Sequence, residues 1–181
     1  MLKLADSWVW DSWYAFDGEY HHAFYLRASR ALGNPDRRHR NPYIGHAISK
    51  DLKNWEVLAD AVAISESPAF DSWTTWTGSV VRDDDGLWWM FYTGTSREDD
   101  GQVQSVGAAT STDLITWERV DAPSVVADPR WYATLADGRT EHWRDPWVIR
   151  DDGAGGWRML VTAESREHRP PTAGCIATAT S

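Results

Sequence analysis

Asp51-Leu52-Lys53-Asn54-Trp55 returns as Asp113-Leu114-Ile115-Thr116-Trp117, 62 residues further along the chain. The segment before each copy returns with it: Gly45-His46-Ala47-Ile48-Ser49 matches Gly107-Ala108-Ala109-Thr110-Ser111. A second element repeats beside these. Asp84-Asp85-Gly86 and the apolar run Leu87 to Thr93 match Asp151-Asp152-Gly153 and Trp157 to Thr162, with Met90 against Met159. An earlier copy runs from Asp17-Gly18 through Tyr25-Leu26. Acidic-glycine turns between short aromatic and β-branched runs are hairpin signals, and no stretch carries helical periodicity. Each unit therefore reads as strand, turn, strand, loop, small-residue strand, Asp-Leu-x-x-Trp turn and short strand. Asp51, Asp113, Trp55 and Trp117 read first as residues that stabilise this unit.

Internal repeats of four-stranded antiparallel units predict an all-β fold, a β-propeller. The blades fall at about 1–66, 67–135 and 136–181, the last cut short: Ala179-Thr180-Ser181 matches Ala109-Thr110-Ser111, and the next Asp-Leu would lie just past Ser181. A ring needs at least four blades, so the reading implies a piece of a longer protein or a natural truncation. An open ring leaves strand edges and apolar faces uncovered, so poor stability or self-association is expected. The oligomeric state itself is left open.

Composition narrows the function. The 181 residues carry a net charge of −9, which argues against nucleic acid as a partner, because phosphates demand a basic patch. The one short basic cluster, Arg37-Arg38-His39-Arg40 between Pro35 and Pro42, reads as a solvated loop. Cys175 is the only cysteine, so no intrachain disulfide can form and a reducing compartment fits. No apolar run reaches membrane-span length, so no membrane partner is expected. Met1 to Asp6 is too short and polar for a signal peptide, which makes a cytoplasmic location the expectation unless an upstream segment has been removed. Thirteen tryptophans are many for this length. Most should pack the blades, and some fit a carbohydrate partner, whose C–H faces stack on flat aromatic rings.

Three stretches carry chemistry. Trp8-Val9-Trp10-Asp11-Ser12-Trp13 sets one carboxylate among indoles. Trp73-Thr74-Thr75-Trp76-Thr77-Gly78-Ser79 enters the second blade, with Gly78 read as room for a ligand's close approach. His142-Trp143-Arg144-Asp145-Pro146-Trp147 opens the third. Pro146 biases Asp145 toward extended backbone, and Arg144 beside it favours the ionised carboxylate. The structural readings are an aromatic surface, a plain strand entry and a surface ion pair. Against them stands the repeat: all three stretches open blades, and innermost strands begin at one mouth of the channel. Two acids facing a tryptophan-rimmed pocket are the equipment of glycoside hydrolysis. His21 and His22 are adjacent on a strand and face opposite ways, so no catalytic metal is expected, and no cofactor.

Trp-Asp-Ser-Trp, Trp-Thr-Gly-Ser, Arg-Asp-Pro and the repeated Asp-Leu-x-x-Trp, in that placement, resemble the five-bladed propeller clan of furanose-active glycoside hydrolases: invertases, levansucrases, arabinanases and β-xylosidases. The resemblance covers about the first half of that domain. It implies that Asp11 is the nucleophile and that Asp145 stabilises the transition state, with Arg144 placing it. It implies that Trp76 and Ser79 line the sugar subsite and that Trp10 and Trp143 form its walls. The clan's general acid/base is a glutamate opening the fourth blade, beyond Ser181. Glu141 and Glu164 do not stand where that motif requires, so the isolated chain is expected to be nearly inactive. Two rivals remain open: a phosphorylase, which needs basic groups at the mouth where Arg144 alone is a candidate, and a non-catalytic carbohydrate-binding or interaction propeller.

Overall fold

The computed structural model describes residues 2–120, 123–153 and 155–181. Among these residues eleven strands form three antiparallel sheets. The first holds β1 (Ser7–Phe16), β2 (His21–Ser29), β3 (Tyr43–Ser49) and β4 (Glu56–Val57), in that order. The second holds β5 (Thr74–Arg82), β6 (Trp88–Thr95), β7 (Gln104–Ser111) and β8 (Glu118–Arg119). The third holds β9 (Trp143–Asp151), β10 (Gly156–Glu164) and β11 (Gly174–Thr180). Each sheet is a meander, and its first strand is innermost: β5 packs against β1 on one side and β9 on the other. This is a propeller arrangement of blades. The connection between β2 and β3 contains two 3₁₀ helices, Arg30–Leu32 and Pro35–Arg40; the second holds the Arg37–Arg40 cluster that the sequence reads as a solvated loop. Among the described residues no helix is long and apolar enough to cross a membrane.

The repeated turn forms for a local reason. Asp51 Oδ1 accepts the backbone N–H groups of Lys53 and Asn54 at 2.9 and 2.8 Å. Asp113 Oδ1 does the same for Ile115 and Thr116, both at 2.8 Å. Each carboxylate also accepts the hydroxyl of the serine two residues earlier, Ser49 or Ser111. These backbone donors hold both carboxyls below the ordinary aspartate range. The following leucine takes the left-handed conformation in both copies, φ 60° at Leu52 and 62° at Leu114.

Blade faces supply the core. Trp13, Phe24, Ile44, Met90, Tyr92 and Leu114 are buried together between the first two sheets, with Trp117 edge-on to Phe24. Val106, Trp143, Val148, Met159 and Val161 form a second cluster between the second and third sheets. Leu114 is fully buried while its repeat partner Leu52 is 52% exposed. Burial therefore contributes about 1 kcal/mol more at the second turn than at the first. Leu52 and Trp55 line a groove of about 920 Å³ on the outer face of the first sheet, with Leu2 and Leu4. On the opposite flank Trp147, Ile149 and Ile176 of the third sheet are exposed.

One buried polar group gives the core a pH dependence. His22 and His46 lie on β2 and β3, each about 2% exposed or less. Asp17 Oδ2 sits 3.2 Å from His22 Nε2, and His22 Nδ1 is 2.9 Å from His46 Nε2. An ionised Asp17 only accepts, so His22 Nε2–H donates to it. Burial, and then the neighbouring His22, push His46 down to about 4, against a partial offset from Asp113. A histidine lowered in the folded state binds fewer protons than in the unfolded chain. Its contribution is present above about pH 6.5 and is lost as pH falls toward 4, a change of about 3 kcal/mol at most. The melting temperature of the chain should therefore drop between pH 7 and pH 4.5, and His46→Gln should flatten that slope in calorimetry. An equally steep slope in the variant would remove His46 as its source.

Candidate active site

The three innermost strands share a feature that a period of two does not reveal. In β1, Trp10 pairs with Leu26 and Ser12 with Tyr25, leaving Asp11 as an extra residue. In β5, Trp76 pairs with Thr93 and Gly78 with Tyr92, leaving Thr77. In β9, Arg144 pairs with Thr162 and Trp147 with Leu160, so Asp145 and Pro146 face the single residue Val161. Each is a β-bulge, which bends the strand and re-aims a side chain. The bulges stand at equivalent places in three adjacent blades. Asp11, Thr77 and Asp145 consequently line one cavity of about 400 Å³, within the size of small-ligand sites.

Trp10 and Trp76 form part of the cavity's wall, and Gln104, His142 and Arg144 part of another side. A hydrogen-bonded chain joins the bulges. Thr77 Oγ1 donates to Asp11 Oδ2 at 2.6 Å. The Thr77 carbonyl accepts from Thr93 Oγ1 at 3.1 Å, and Thr93 Oγ1 accepts the Asp145 N–H at 2.9 Å. Thr93 is fully buried on β6, so the second blade fixes the acids of its two neighbours.

Asp145 is not extended, contrary to the bias expected from Pro146. Its φ is 59°, a left-handed conformation that aspartate tolerates better than most residues. The bulge and the N–H bond to Thr93 outweigh the pre-proline preference. Burial raises the Asp145 carboxyl above its ordinary range; Arg144 opposes this, and the charge of Asp11 adds to it. Arg144 Nε lies 3.4 Å from Asp145 Oδ2. Its guanidinium is steadied by Gln104 Oε1 at 3.1 Å and by His142 Nδ1 at 2.8 Å. Arginine only donates, so His142 Nδ1 accepts and its proton resides on Nε2. Burial and then Arg144 lower the His142 pKa against the opposing charge of Glu164, which favours the neutral ring.

Of the residues singled out from sequence, the fold brings Asp11, Asp145, Trp10, Trp76 and Arg144 together. It does not bring Ser79 or Trp143 to the cavity. Ser79 is buried, and its hydroxyl accepts the Val148 N–H at 3.2 Å, tying β5 to β9. Trp143 is buried in the core, with Nε1 donating to the Val125 carbonyl at 3.1 Å. Gly78 is also not a ligand approach: a Cβ there would overlap the Phe91 carbonyl oxygen of the paired strand. Sequence reasoning missed Thr77, Gln104, His142, His39 and Arg40 as lining residues. Thr77 and His142 lay inside the stretches singled out above. His39 and Arg40 carried no signal beyond their charge. Neither Glu141 nor Glu164 lines the cavity; Glu164 is bound by Arg139 at 2.6 Å.

The model of the glycosyl hydrolases family 32 N-terminal domain matches residues 11–172. Sucrose-6-phosphate hydrolase of Bacillus subtilis (strain 168) is 33% identical over 128 residues, covering 70% of this chain and 24% of its own length. Beta-fructofuranosidase 1 of Zea mays is 34% identical over 130 residues, covering 68% and 18%. The chain thus spans about a quarter or less of the length of these relatives. Inulosucrase from Halalkalicoccus jeotgali bound to kestose aligns with 98% of this chain and 50% of its own, at 23% identity and a TM-score of 0.76. Fructan 1-exohydrolase IIa from Cichorium intybus aligns with 99% and 31%, at 21% identity and a TM-score of 0.74. These two likenesses establish the fold, a partial five-bladed β-propeller. With the family match running from Asp11 to Thr172, the chain belongs to the glycosyl hydrolases of family 32, as part of their N-terminal domain.

Proposed function

We propose that the full-length protein is a glycosidase or transglycosylase that cleaves fructosides, and that this chain supplies two of its working carboxyls. The observation that carries the reading is the cavity itself: Asp11 and Asp145, from equivalent bulges of two blades, line one tryptophan-walled space. Asp11, exposed and held by the Thr77 hydroxyl, acts as nucleophile. Its carboxylate attacks the anomeric carbon while the bond to the leaving oxygen breaks, giving a fructosyl ester that water or a second sugar then opens. Asp145, steadied by Arg144, binds ring hydroxyls and stabilises positive charge developing on the sugar. Trp10 and Trp76 offer ring faces to the sugar. The proton for the leaving oxygen comes from a glutamate outside this lining. Family membership supports the reading, since relatives named as fructofuranosidases and sucrose-6-phosphate hydrolases share it.

The test is product analysis with the full-length protein on sucrose, a kestose-type fructan and an aryl arabinofuranoside. Release of fructose, or its transfer to acceptor sugar, is expected from the first two. Turnover of the arabinofuranoside alone would overturn the fructoside assignment, and turnover of none would overturn the enzyme.

A further inference from the structure

Arg144 is gripped from two blades. Its Nη1 donates to Gln104 Oε1 on β7 at 3.1 Å and to His142 Nδ1 at 2.8 Å, while its Nε faces Asp145 Oδ2 at 3.4 Å. Among the described residues Nη2 has no protein partner, so this edge is free to meet a ligand. His142 has a carboxylate behind it. One step beyond the paired residues Trp143 and Ala163, His142 faces Glu164, whose Oε1 lies 3.7 Å from His142 Nε2. Glu164 is itself fixed: Arg139 Nη2 donates to its Oε2 at 2.6 Å, and Arg139 Nη1 donates to the carbonyls of Ser165 and His168 at 3.2 and 3.1 Å. Arg139, Glu164, His142, Arg144 and Asp145 thus form one line that ends at the cavity.

The middle of this line is sensitive to one proton. A neutral imidazole offers a single acceptor nitrogen, and the Glu164 carboxylate favours the tautomer with its proton on Nε2. Nδ1 is then the acceptor that Arg144 needs. A second proton on the ring turns Nδ1 into a donor facing another donor, and sets two cationic nitrogens 2.8 Å apart. The charged groups facing the ring are Arg144 on β9, Glu164 at the end of β10 and Arg139 on the segment before β9. Asp11, His39 and Arg40 stand around the same cavity, and the β7 side chain there, Gln104, is uncharged. A packing role alone fits less well: His142 lies outside the apolar clusters and lines the cavity.

We propose that His142 is a positioning residue of the cavity: the lone pair on its neutral Nδ1 fixes Arg144, Arg144 aligns the Asp145 carboxylate, and protonation of the ring loosens that pair. This rests on the fructoside-cleaving reading of the same cavity, in which Asp145 steadies charge developing on the sugar. His142 acts through Arg144 and not on the sugar itself. Burial and Arg144 shift its titration below the ordinary histidine range, against Glu164, so the grip is closed near neutral pH and opens in acid. Because the Arg144–Asp145 pair works on the transition state, the grip is felt in kcat more than in KM.

The experiment follows kcat and KM for sucrose against pH in the full-length protein and in its variants His142→Leu and His142→Asn. Leucine removes the acceptor and should lower kcat about 10–10²-fold, the weight of one hydrogen bond to a charged group, with KM changed far less. The asparagine oxygen takes the place of Nδ1 without titrating. His142→Asn should therefore recover most of that loss, and its acid limb should be shallower by one proton. Independently of turnover, NMR of nitrogen-15-labelled histidines should find the neutral His142 ring protonated on Nε2. A leucine variant as active as the wild type across the pH range, or a ring protonated on Nδ1, would overturn the positioning role and leave the glycosidase intact. If the leucine variant fails to fold, an acid limb of unaltered slope in His142→Asn overturns it. Equal losses in both variants, with wild-type activity rising as the ring takes its second proton, would make His142 a proton donor and also overturn it. A wild type that turns over no sugar removes the fructoside reading and this inference with it.

Discussion

Asp11→Asn should lower turnover of sucrose by the full-length protein by about 10⁴-fold or more, with the melting temperature essentially unchanged. Asparagine keeps the volume and one oxygen, so the Thr77 hydroxyl, now 2.6 Å from Asp11 Oδ2, still has an acceptor. What disappears is the negative charge and with it the proposed nucleophile. Asp11 is exposed and at the surface of a bulge, so the fold has little reason to respond. Thr77→Val offers a graded comparison. It leaves the carboxylate in place without its tether and should cost about tenfold. Stopped assays of fructose release measure both. Turnover within tenfold of wild type for Asp11→Asn would exclude the nucleophile role.

Asp145→Asn should reduce kcat/KM by about 10²–10³-fold, the usual effect of removing one fixed charge from a developing transition state. The choice of asparagine matters here. The φ of 59° at this position suits Asn nearly as well as Asp, whereas alanine would add about 1–2 kcal/mol of backbone strain. Asparagine therefore tests the charge and alanine tests charge and backbone together. The wild-type pH profile carries a related signature. Burial raises the Asp145 carboxyl, with Asp11 adding to the shift. In its proposed role Asp145 works ionised, so activity should begin to fall on the acid side above the pH at which an ordinary aspartate titrates. An acid limb that is unmoved in Asp145→Asn would assign that limb to another group.

The turn around Asp51 was legible because its chemistry is local: one carboxylate caps the N–H groups two and three residues on, and the same letters recur at Asp113. The meeting of Asp11 with Asp145 was legible through the repeat, since equivalent positions of neighbouring blades arrive at one mouth. The bulges were not. Alternation predicts which way each strand residue points, and one extra residue reverses that count. Ser79 and Trp143, assigned to the sugar subsite by the family resemblance, lie instead in the packing between blades. Pro146 inside β9 was the signal that could have exposed one bulge, because proline in a sheet interior is confined to such places. Arg40 shows the other gap. Its charge is plain in the sequence, but where a 3₁₀ turn comes to rest depends on Trp73 and Trp76, more than thirty residues away.

The hydrogen-bonded chain from Asp11 through Thr77 and Thr93 to Asp145 has a historical consequence. Repeats arise by duplication of a single ancestral unit, yet no single unit here holds a complete acid. Asp11 takes its tether from the second blade, and Asp145 takes the anchor of its N–H from the same blade. A solitary ancestral blade could have carried the turn, the meander and the tryptophans, but not this placement of charge. The placement of both carboxyls is therefore a property of the seams between blades, and no blade taken alone would keep it.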